Sequence, residues 1–218
     1  MIIAIDGTLA SGKGSIARRV ASWYGLPHMD TGRLYRATGV AAMKAGTDMS
    51  DEAALAQLAQ TLDLNDFNEA DLRTAEAGQA ASKVAAFGDV RAALLALQRA
   101  FASQPGGAIL DGRDIGTVVC PDAEVKLWID ARVEERAKRR CLELEAAGNP
   151  ISLTEMTRQL IERDARDRGR ADAPMIAAAN AVLIDTSDLS IDAAVDKARA
   201  VIDAVLAAED TASSSEKS

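Results

Sequence analysis

The feature that most constrains this chain is the stretch GTLASGKGS at residues 7–15, rich in glycine and hydroxyl side chains. It follows Ile2–Asp6, a short β-branched apolar run typical of a strand buried on both faces. It leads into a helical pattern from about Lys13 to Tyr24. A glycine-rich turn between a buried strand and a helix indicates an α/β domain and is the usual context of a phosphate-binding loop.

The loop nearly matches the pattern G-x-x-x-x-G-K-S/T. Gly7, Gly12 and Lys13 stand at their places, and Gly14 precedes the hydroxyl of Ser15. Glycines let successive backbone N–H groups point inward around phosphate oxygens, and the helix N-terminus adds partial positive charge. Lys13 would reach the β and γ phosphates. A plain turn is the alternative, and the agreement of strand, spacing, lysine and helix disfavours it.

Strand and helix patterns alternate along most of the chain, which predicts a parallel sheet. No convincing strand occurs between about 32 and 105, so this block is predicted to be a helical insert. Strands are predicted at 2–6, a short piece through 29, 108–110, 125–129 and 181–184, and helices at about 13–24, 33–44, from 50, 69–86, 90–103, 133–147, 152–168 and from 191. A capping box from Ser152 to Glu155 is expected to open the helix at 152–168.

Composition excludes several classes of protein. The net charge of −8 argues against a nucleic-acid-binding protein. No run approaches the ~18 apolar residues of a membrane span, and the start MIIAIDG lacks the charged region of a signal sequence. Cys120 and Cys141 are expected to be reduced thiols in a cytoplasmic protein. The small polar segment 209–218 is expected to be a flexible tail.

Two further clusters carry candidate chemistry. In GGAILDGRDIGTVV, 106–119, an apolar run ends in Asp111, as in a Walker B strand whose carboxylate holds Mg²⁺ or its water shell. An ordinary turn aspartate is the alternative. In ERDARDRGR, 162–170, Arg163, Arg166, Asp167 and Arg170 share one helical face. A solvated face with i,i+4 ion pairs is the alternative, although Arg166 and Arg170 would repel each other without an anion nearby.

A phosphate loop does not by itself name a reaction. A GTPase would be expected to carry N-K-x-D or T-K-x-D, and the chain contains neither. The single histidine, His28, is expected to be structural. Phosphoryl transfer depends on alignment and charge neutralisation more than on a general base, so a single structural histidine is compatible with it.

Five motifs in order make the chain similar to the bacterial cytidylate kinases, of the nucleoside monophosphate kinase group of P-loop kinases. They are the loop at 7–15, DTGRLYR at 30–36, AASKVAAFGDVR at 80–91, DGRDIGTVV at 111–119 and ERDARDRGR at 162–170. The resemblance runs from Ile2 to about Ala207. It implies transfer of the γ-phosphoryl group of ATP to CMP or dCMP, with Mg²⁺ as cofactor, by a monomer.

The fold implied is an α/β P-loop kinase with a five-stranded parallel sheet flanked by helices. One kinase domain would span 1–208, with its core at about 1–31 and 105–208. The insert at about 32–104 would bind the monophosphate, and a short lid would lie at about 146–155. ATP and CMP, but no nucleic acid or membrane, are the expected partners.

The resemblance also assigns site residues by position. Lys13, Arg113 and Arg170 would be catalytic. The ATP-binding residues would be Gly7, Thr8, Leu9, Ala10, Ser11, Gly12, Lys13, Gly14, Ser15 and Arg158. The CMP-binding residues would be Thr31, Arg36, Ser82, Arg91, Arg113, Asp114, Arg163, Asp167 and Arg170. Of these, the phosphate would be bound by Arg36, Arg113 and Arg170. Cytosine would be bound by Ser82, Arg91 and Asp114, and the ribose by Arg163 and Asp167. Ser15 and Asp111 would hold Mg²⁺, directly or through water.

The chain departs from the family pattern in two places. Thr8, Leu9 and Ala10 replace Pro, Ser and Gly in the loop. Because a left-handed backbone costs a non-glycine residue about 1 kcal/mol, Ala10 is predicted to keep ordinary helical or extended angles. The stretch 62–80 is shorter than in many members, which carry strands there, so the insert is expected to be all helical.

Two other functions remain open from the residues. One is a kinase of another small acceptor, such as UMP, AMP or shikimate. The other is a nucleotide-dependent binding or regulatory protein that hydrolyses ATP slowly.

Overall fold

The structure, a computed structural model, describes the backbone of residues 1–215 and the side chains of residues 1–208. Within this range the strands are β1 (Ile2–Gly7), β2 (His28–Asp30), β3 (Ala108–Gly112), β4 (Val125–Asp130) and β5 (Val182–Asp185). The helices are α1 (Lys13–Tyr24), α2 (Thr31–Ala45), α3 (Glu52–Gln60), α4 (Glu69–Leu72), α5 (Ala75–Val84), α6 (Gly88–Ala102), α7 (Val133–Ala146), α8 (Leu153–Arg168) and α9 (Ile191–Ser215).

The strands form one five-stranded sheet in the order β2-β3-β1-β4-β5, and the pairings are parallel. In register, Ile5 of β1 lies beside Asp111 of β3 on one side and Leu127 of β4 on the other. The carboxyl ends of β1, β3 and β2 therefore meet at one edge of the sheet, where parallel α/β folds place their ligands. The predicted fold class is confirmed.

The sheet is apolar on both faces because helices cover both. Ile3, Ile5 and Leu127 belong to the core cluster that includes residues of α1 and α9. The intervening residues Ala4 and Leu110 pack in a second cluster with Ile115 and the end of α6. Burial on both faces explains why β1 is an uninterrupted apolar run rather than an alternating one.

The segment between β2 and β3 folds into the helices α2 to α6, with a 3₁₀ turn at Leu64–Asp66 and a core of its own. The predicted continuous helix at 69–86 is wrong, since α4 ends at Leu72 and α5 begins at Ala75. The side chain of Thr74 accepts a hydrogen bond from the backbone N–H of Ala77, at 3.0 Å, and so begins a new helix.

The helices α7 and α8 are joined by a short connection, at the place of the expected lid. The predicted capping box is half formed. Ser152 accepts from the backbone N–H of Glu155 at 3.2 Å, whereas the Glu155 carboxylate binds Arg158 and Gln159.

The backbone of 209–215 continues α9, where a flexible tail is predicted. The rest of that predicted tail, 216–218, and the side chains of 209–218 lie outside the described residues.

Candidate active site

The glycine-rich loop connects β1 to α1, as its spacing predicts. A Cβ atom on Gly7 would lie 1.9 Å from the backbone oxygen of Ile129 in β4, so no larger residue fits there. Gly12, at the start of α1, has a φ of 92°. Ala10 has a φ of 61°, so the prediction that it keeps ordinary angles is wrong. The loop keeps the left-handed conformation that the usual glycine would adopt without strain.

Contacts from distant parts of the chain hold the loop in this shape. The hydroxyl of Thr8 donates to the carboxylate of Asp130, at the end of β4, at 2.6 Å. The carbonyl of Ser11 accepts from the hydroxyl of Thr186 at 2.7 Å. Arginines of α7 reach two carbonyls, Arg136 that of Leu9 at 3.3 Å and Arg139 that of Ser11 at 3.4 Å. The loop is thus anchored to the ends of β4 and β5 and to α7.

Lys13 is buried at the first position of α1, with 9% of its surface exposed. Burial and the nearby guanidinium of Arg113 lower the pKa of its ammonium group to about 7, although Asp111 and Asp30 act in the opposite direction. A cation held in so dry a place, next to arginine, gains more from an incoming anion than an exposed lysine would.

Asp111 ends the apolar part of β3 and is buried. Its Oδ2 lies 2.7 Å from Nε2 of His28, so the histidine has a partner, as expected of a structural residue. Its Oδ1 lies toward the loop, 3.9 Å from the position that a Cβ on Gly14 would take. The hydroxyl of Ser15 accepts from Arg18 at 3.3 Å. A carboxylate and a hydroxyl on one cleft are the hard oxygen donors that suit Mg²⁺.

Asp167 is the centre of a buried arginine cluster. Its carboxylate pairs with Arg170, and with Nε of Arg113 at 3.3 Å and Nε of Arg163 at 3.8 Å. Burial raises the pKa of Asp167, but these arginines outweigh it and hold the pKa below its ordinary value. Burial, together with Arg113, lowers the pKa of Arg163 to about 9. Positive charge exceeds negative charge in this cluster, which therefore favours an anionic ligand.

A second buried ion pair joins Arg91 of α6 to Asp114, just after β3. The guanidinium of Arg91 also lies 5.5 Å from the centre of the Tyr35 ring. Ser82 is buried nearby, where its hydroxyl donates to Asp167 at 3.5 Å and accepts from Arg166 at 3.4 Å. The insert and the core thus contribute polar groups to the same wall of the cleft.

The start of α2 contributes two more predicted residues. Arg36 donates to the carboxylate of Asp30 at 2.7 Å. Thr31 is buried, and its hydroxyl donates to the backbone carbonyl of Asp111 at 2.8 Å. Thr31 thereby ties the first turn of α2 to the end of β3.

The predicted CMP-binding residues and most of the loop line one cleft of about 660 Å³ between the sheet edge, the insert and α7–α8. Arg158 does not line this cleft. It lies on the exposed side of α8, pairs with Glu155 and Glu162, and lines a neighbouring cavity of about 220 Å³ that also includes Leu9. Asp164, within the motif at 162–170, forms a buried pair with Arg136 of α7.

A model of the cytidylate kinase family matches residues 3–204 of the chain. The chain belongs to this family. A cytidylate kinase from Xanthobacter autotrophicus is 53% identical over 204 residues, which cover 94% of this chain and 98% of that protein. A cytidylate kinase from Cereibacter sphaeroides is 56% identical over 196 residues, covering 90% and 92%. Membership of the cytidylate kinase family makes the protein a phosphotransferase.

The fold also resembles a solved structure with a distant sequence. An uncharacterized protein from Eubacterium ventriosum superposes with a TM-score of 0.55 at 14% identity, over 93% of this chain and 98% of that one. No helix within the described part of the chain is long and apolar enough to span a membrane. The described residues also contain no cluster of three or more histidine, cysteine or acidic side chains suited to a metal ion.

Several residues that shape this site were not predicted from the sequence. Asp30 and Asp130 end their strands, and Asp6 is the last residue but one of β1. An acidic residue at the carboxyl end of a strand is the signal that could have found all three. Arg136 and Arg139, three apart on α7, lie on one helical face directly after β4. That spacing could have indicated a shared target at the sheet edge.

Proposed function

We propose that this protein is a cytidylate kinase that transfers the γ-phosphoryl group of ATP to CMP or dCMP, giving ADP and CDP or dCDP. One observation carries the proposal. A single cleft has the loop with Lys13 on one wall and the arginine cluster around Asp167 on another. Two anionic phosphate groups can therefore meet in one cleft, which is what phosphoryl transfer requires.

The loop would hold the donor. Backbone N–H groups of the loop and the N-terminus of α1 would bind the phosphates of ATP, with Lys13 at the β and γ oxygens. Ser15 and Asp111 fit the Mg²⁺ that ATP brings, since both offer oxygen donors on the cleft. When bound, the ion would neutralise phosphate charge, while Lys13 keeps the donor aligned.

The arginines would hold the acceptor phosphate. Arg36, Arg113 and Arg170 are kept in the cleft by Asp30 and Asp167, so their guanidinium groups are oriented before the ligand arrives. Bidentate arginine contacts fix the geometry of a phosphate as well as its charge. The acceptor oxygen needs no base, because the second pKa of a phosphate monoester is about 6.

Arg91 and Asp114 would select the base. Cytosine presents acceptors at O2 and N3 and a donor at N4, so a guanidinium and a carboxylate side by side satisfy its pairing edge. Uracil has a donor at N3 and an acceptor at O4. Its N3–H would therefore face the guanidinium of Arg91, and its O4 would face the carboxylate of Asp114, so like groups would be opposed. Ser82 would add a hydroxyl to the base, Thr31 would lie near it, and Arg163 with Asp167 would lie at the ribose.

Both substrates would be held by one chain, which supports a monomeric enzyme. The free thiols of Cys120 and Cys141, which form no disulfide, support a reducing, cytoplasmic location. Closure of the insert and of the lid at 146–155 would exclude water, which competes with CMP as the acceptor. The exposed pairing of Arg158 with two glutamates would then have to open for it to reach ATP.

An acceptor panel tests the proposal. With ATP and Mg²⁺, release of ADP is measured with CMP, dCMP, UMP, AMP and shikimate. We expect kcat/KM for CMP at least about a hundredfold above that for UMP, because unpaired buried polar groups reject the wrong ligand strongly. Faster turnover of UMP, AMP or shikimate than of CMP and dCMP, or ATP hydrolysis that no acceptor stimulates, would contradict the proposal.

A variant of Asp114 tests the assignment of the base. Asp114→Asn should narrow the preference for CMP over UMP, mainly by slowing CMP, because the amide can donate to O4 of uracil. Asp122→Asn, which changes an exposed carboxylate, is the matched control. An unchanged ratio in Asp114→Asn would show that the cytosine edge lies elsewhere.

A further inference from the structure

The side chain of Arg136, on α7, is buried behind the glycine-rich loop, with 4% of its surface exposed. Its Nε donates to the carbonyl of Ala131 at 2.9 Å, and one terminal nitrogen donates to the carbonyl of Leu9 at 3.3 Å. Both terminal nitrogens also bind the carboxylate of Asp164 on α8, at 2.6 and 3.3 Å. Among Arg136 and the residues it contacts, only Leu9 was predicted to bind ATP or CMP.

We infer that Arg136 is a positioning residue for the ATP side of the reaction, oriented by Asp164 and acting through the carbonyl of Leu9. The inference rests on the proposed function. Arg136 does not line the cleft, so it would act on the nucleotide only through the loop.

The planarity of the peptide bond explains how a contact to a carbonyl can shape the binding site. In a trans peptide the C=O and the following N–H point in opposite directions. A hydrogen bond from Arg136 to the Leu9 carbonyl therefore turns the N–H of Ala10 the other way. Thr186 and Arg139 do the same at the Ser11 carbonyl, which orients the N–H of Gly12. Ala10 and Gly12 both line the cleft.

The need for such a contact comes from the sequence of the loop. Ala10 holds a φ of 61°, which disfavours alanine, so the loop's own preferences oppose the conformation it has. The residues on either side of Ala10, Leu9 and Ser11, are those whose loop carbonyls accept hydrogen bonds from arginines of α7. The contacts of Arg136 thus fall where the loop is least able to keep its shape alone.

The pair with Asp164 complicates the test, because removing one partner leaves the other charge buried and can unfold the protein. The double variant Arg136→Met/Asp164→Asn removes both charges with side chains close in size to the originals and leaves no buried ion unpaired. The matched control is Arg132→Gln/Asp188→Asn, which removes a bidentate pair near the start of the same helix that is exposed to solvent.

The experiment measures the KM for ATP at saturating CMP, the KM for CMP at saturating ATP, and ATP binding by calorimetry without an acceptor. For the double variant we expect kcat/KM for ATP to fall by about ten- to a hundredfold, since small displacements of a binding group have effects of this size. ATP affinity should fall as well, and the KM for CMP should stay within about twofold. Arg136→Lys, with one nitrogen in place of the three that bind Ala131, Leu9 and Asp164, should be intermediate.

An ATP affinity equal to that of the control pair in a folded double variant would overturn the inference. So would equal losses toward ATP and CMP, which indicate a general structural role. The calorimetric arm separates this inference from the proposed function. If the wild type binds ATP but does not phosphorylate CMP, the proposed function fails, while the effect of the double variant on ATP binding still decides the role of Arg136.

Discussion

At the scale of single residues, Ala10 is an alanine at a position whose backbone conformation favours glycine. Its φ of 61° lies in the left-handed region, where a Cβ atom costs roughly 1–2 kcal/mol. Glycine would remove that strain but would add about 0.5–1 kcal/mol of chain entropy to the unfolded state. The strain of alanine and the entropy cost of glycine are thus of similar size, so local preference alone does not decide which residue stands at position 10.

Ala10→Gly should raise the free energy of unfolding by about 0.5 kcal/mol, or leave it unchanged, because strain relief slightly exceeds the entropy cost. Urea denaturation of both proteins measures the difference. Ala96→Gly is the matched control, since Ala96 is exposed in the middle of α6 and its loss should cost about 1 kcal/mol. A loss of 1 kcal/mol or more in Ala10→Gly would mean that the position is not strained.

Lys13→Ala should lower kcat by a factor of about 10² to 10⁴, because one preorganised charge that stabilises the transition state is worth roughly 3–4 kcal/mol. Steady-state ADP release measures the change, and circular dichroism checks that the variant folds. Lys138→Ala removes an exposed lysine of α7 and should retain full activity. More than a tenth of wild-type turnover in Lys13→Ala would contradict the assigned role.

At the scale of elements, Asp6 connects the end of β1 to the turn that follows Arg113 and Asp114. Its carboxylate accepts hydrogen bonds from the backbone N–H groups of Ile115 and Gly116, both at 2.8 Å. These residues begin a π-helical turn at Ile115–Val119. A buried side chain at the end of one strand thus holds the loop on which another strand presents its functional residues.

The ionisation of Asp6 should make stability depend on pH. Burial raises the pKa of Asp6 from 3.8 to about 7; the hydrogen bonds from Gly116 and Ile115 and the charge of Arg113 oppose this, and Asp114 adds to it. Because the folded protein binds this proton more tightly than the unfolded chain, the stabilisation is complete below pH 3.8. It is lost as pH rises through about 7.

Relative to Asp6→Asn, which carries no titrating group at this position, the wild type should therefore lose stability between pH 4 and pH 8. The difference in pKa corresponds to roughly 4 kcal/mol. Denaturant unfolding of both proteins at several pH values in this range measures it. Other groups titrate in both proteins and cancel in the difference, so a difference that does not vary with pH would contradict the prediction.

At the scale of the whole molecule, the charge in the cleft differs in sign from the net charge of the chain. The chain has a net charge of −8, yet arginines from the insert, the core and α8 converge on one cleft. Their carboxylate partners, Asp30, Asp114 and Asp167, hold them together without a ligand. A phosphate monoester that enters the cleft joins elements that are far apart in sequence, so binding should stabilise the entire fold.

CMP at a hundred times its Kd should raise the free energy of unfolding by about 2.7 kcal/mol. UMP at the same concentration should add about 0.4 kcal/mol if it binds a hundredfold more weakly. Thermal unfolding with each ligand measures the effect, and cytidine, which lacks the phosphate, is the control for the arginine contacts. Equal stabilisation by cytidine and CMP would show that the cluster around Asp167 does not bind the phosphate.

The features that sequence alone predicted are local or repeated. β1, α1 and the loop between them could be predicted because strand pattern, glycine spacing and lysine all lie within two dozen residues. The helical insert followed from periodicity, and the family resemblance from five motifs in order. The break between α4 and α5 was missed because Thr74, which caps the second helix, lies inside an otherwise continuous helical pattern.

The tertiary structure decided how residues far apart in the chain meet. Ala10 is left-handed where its own preference predicts otherwise, and carbonyls on both sides of it are held by α7, more than a hundred residues away. Asp164 pairs with Arg136 rather than with its neighbour on α8, because α7 packs against that face. Sequence patterns report the preferences of neighbours along the chain. Buried charges take the partners that packing brings to them, since an unpaired charge away from water costs far more than a local preference.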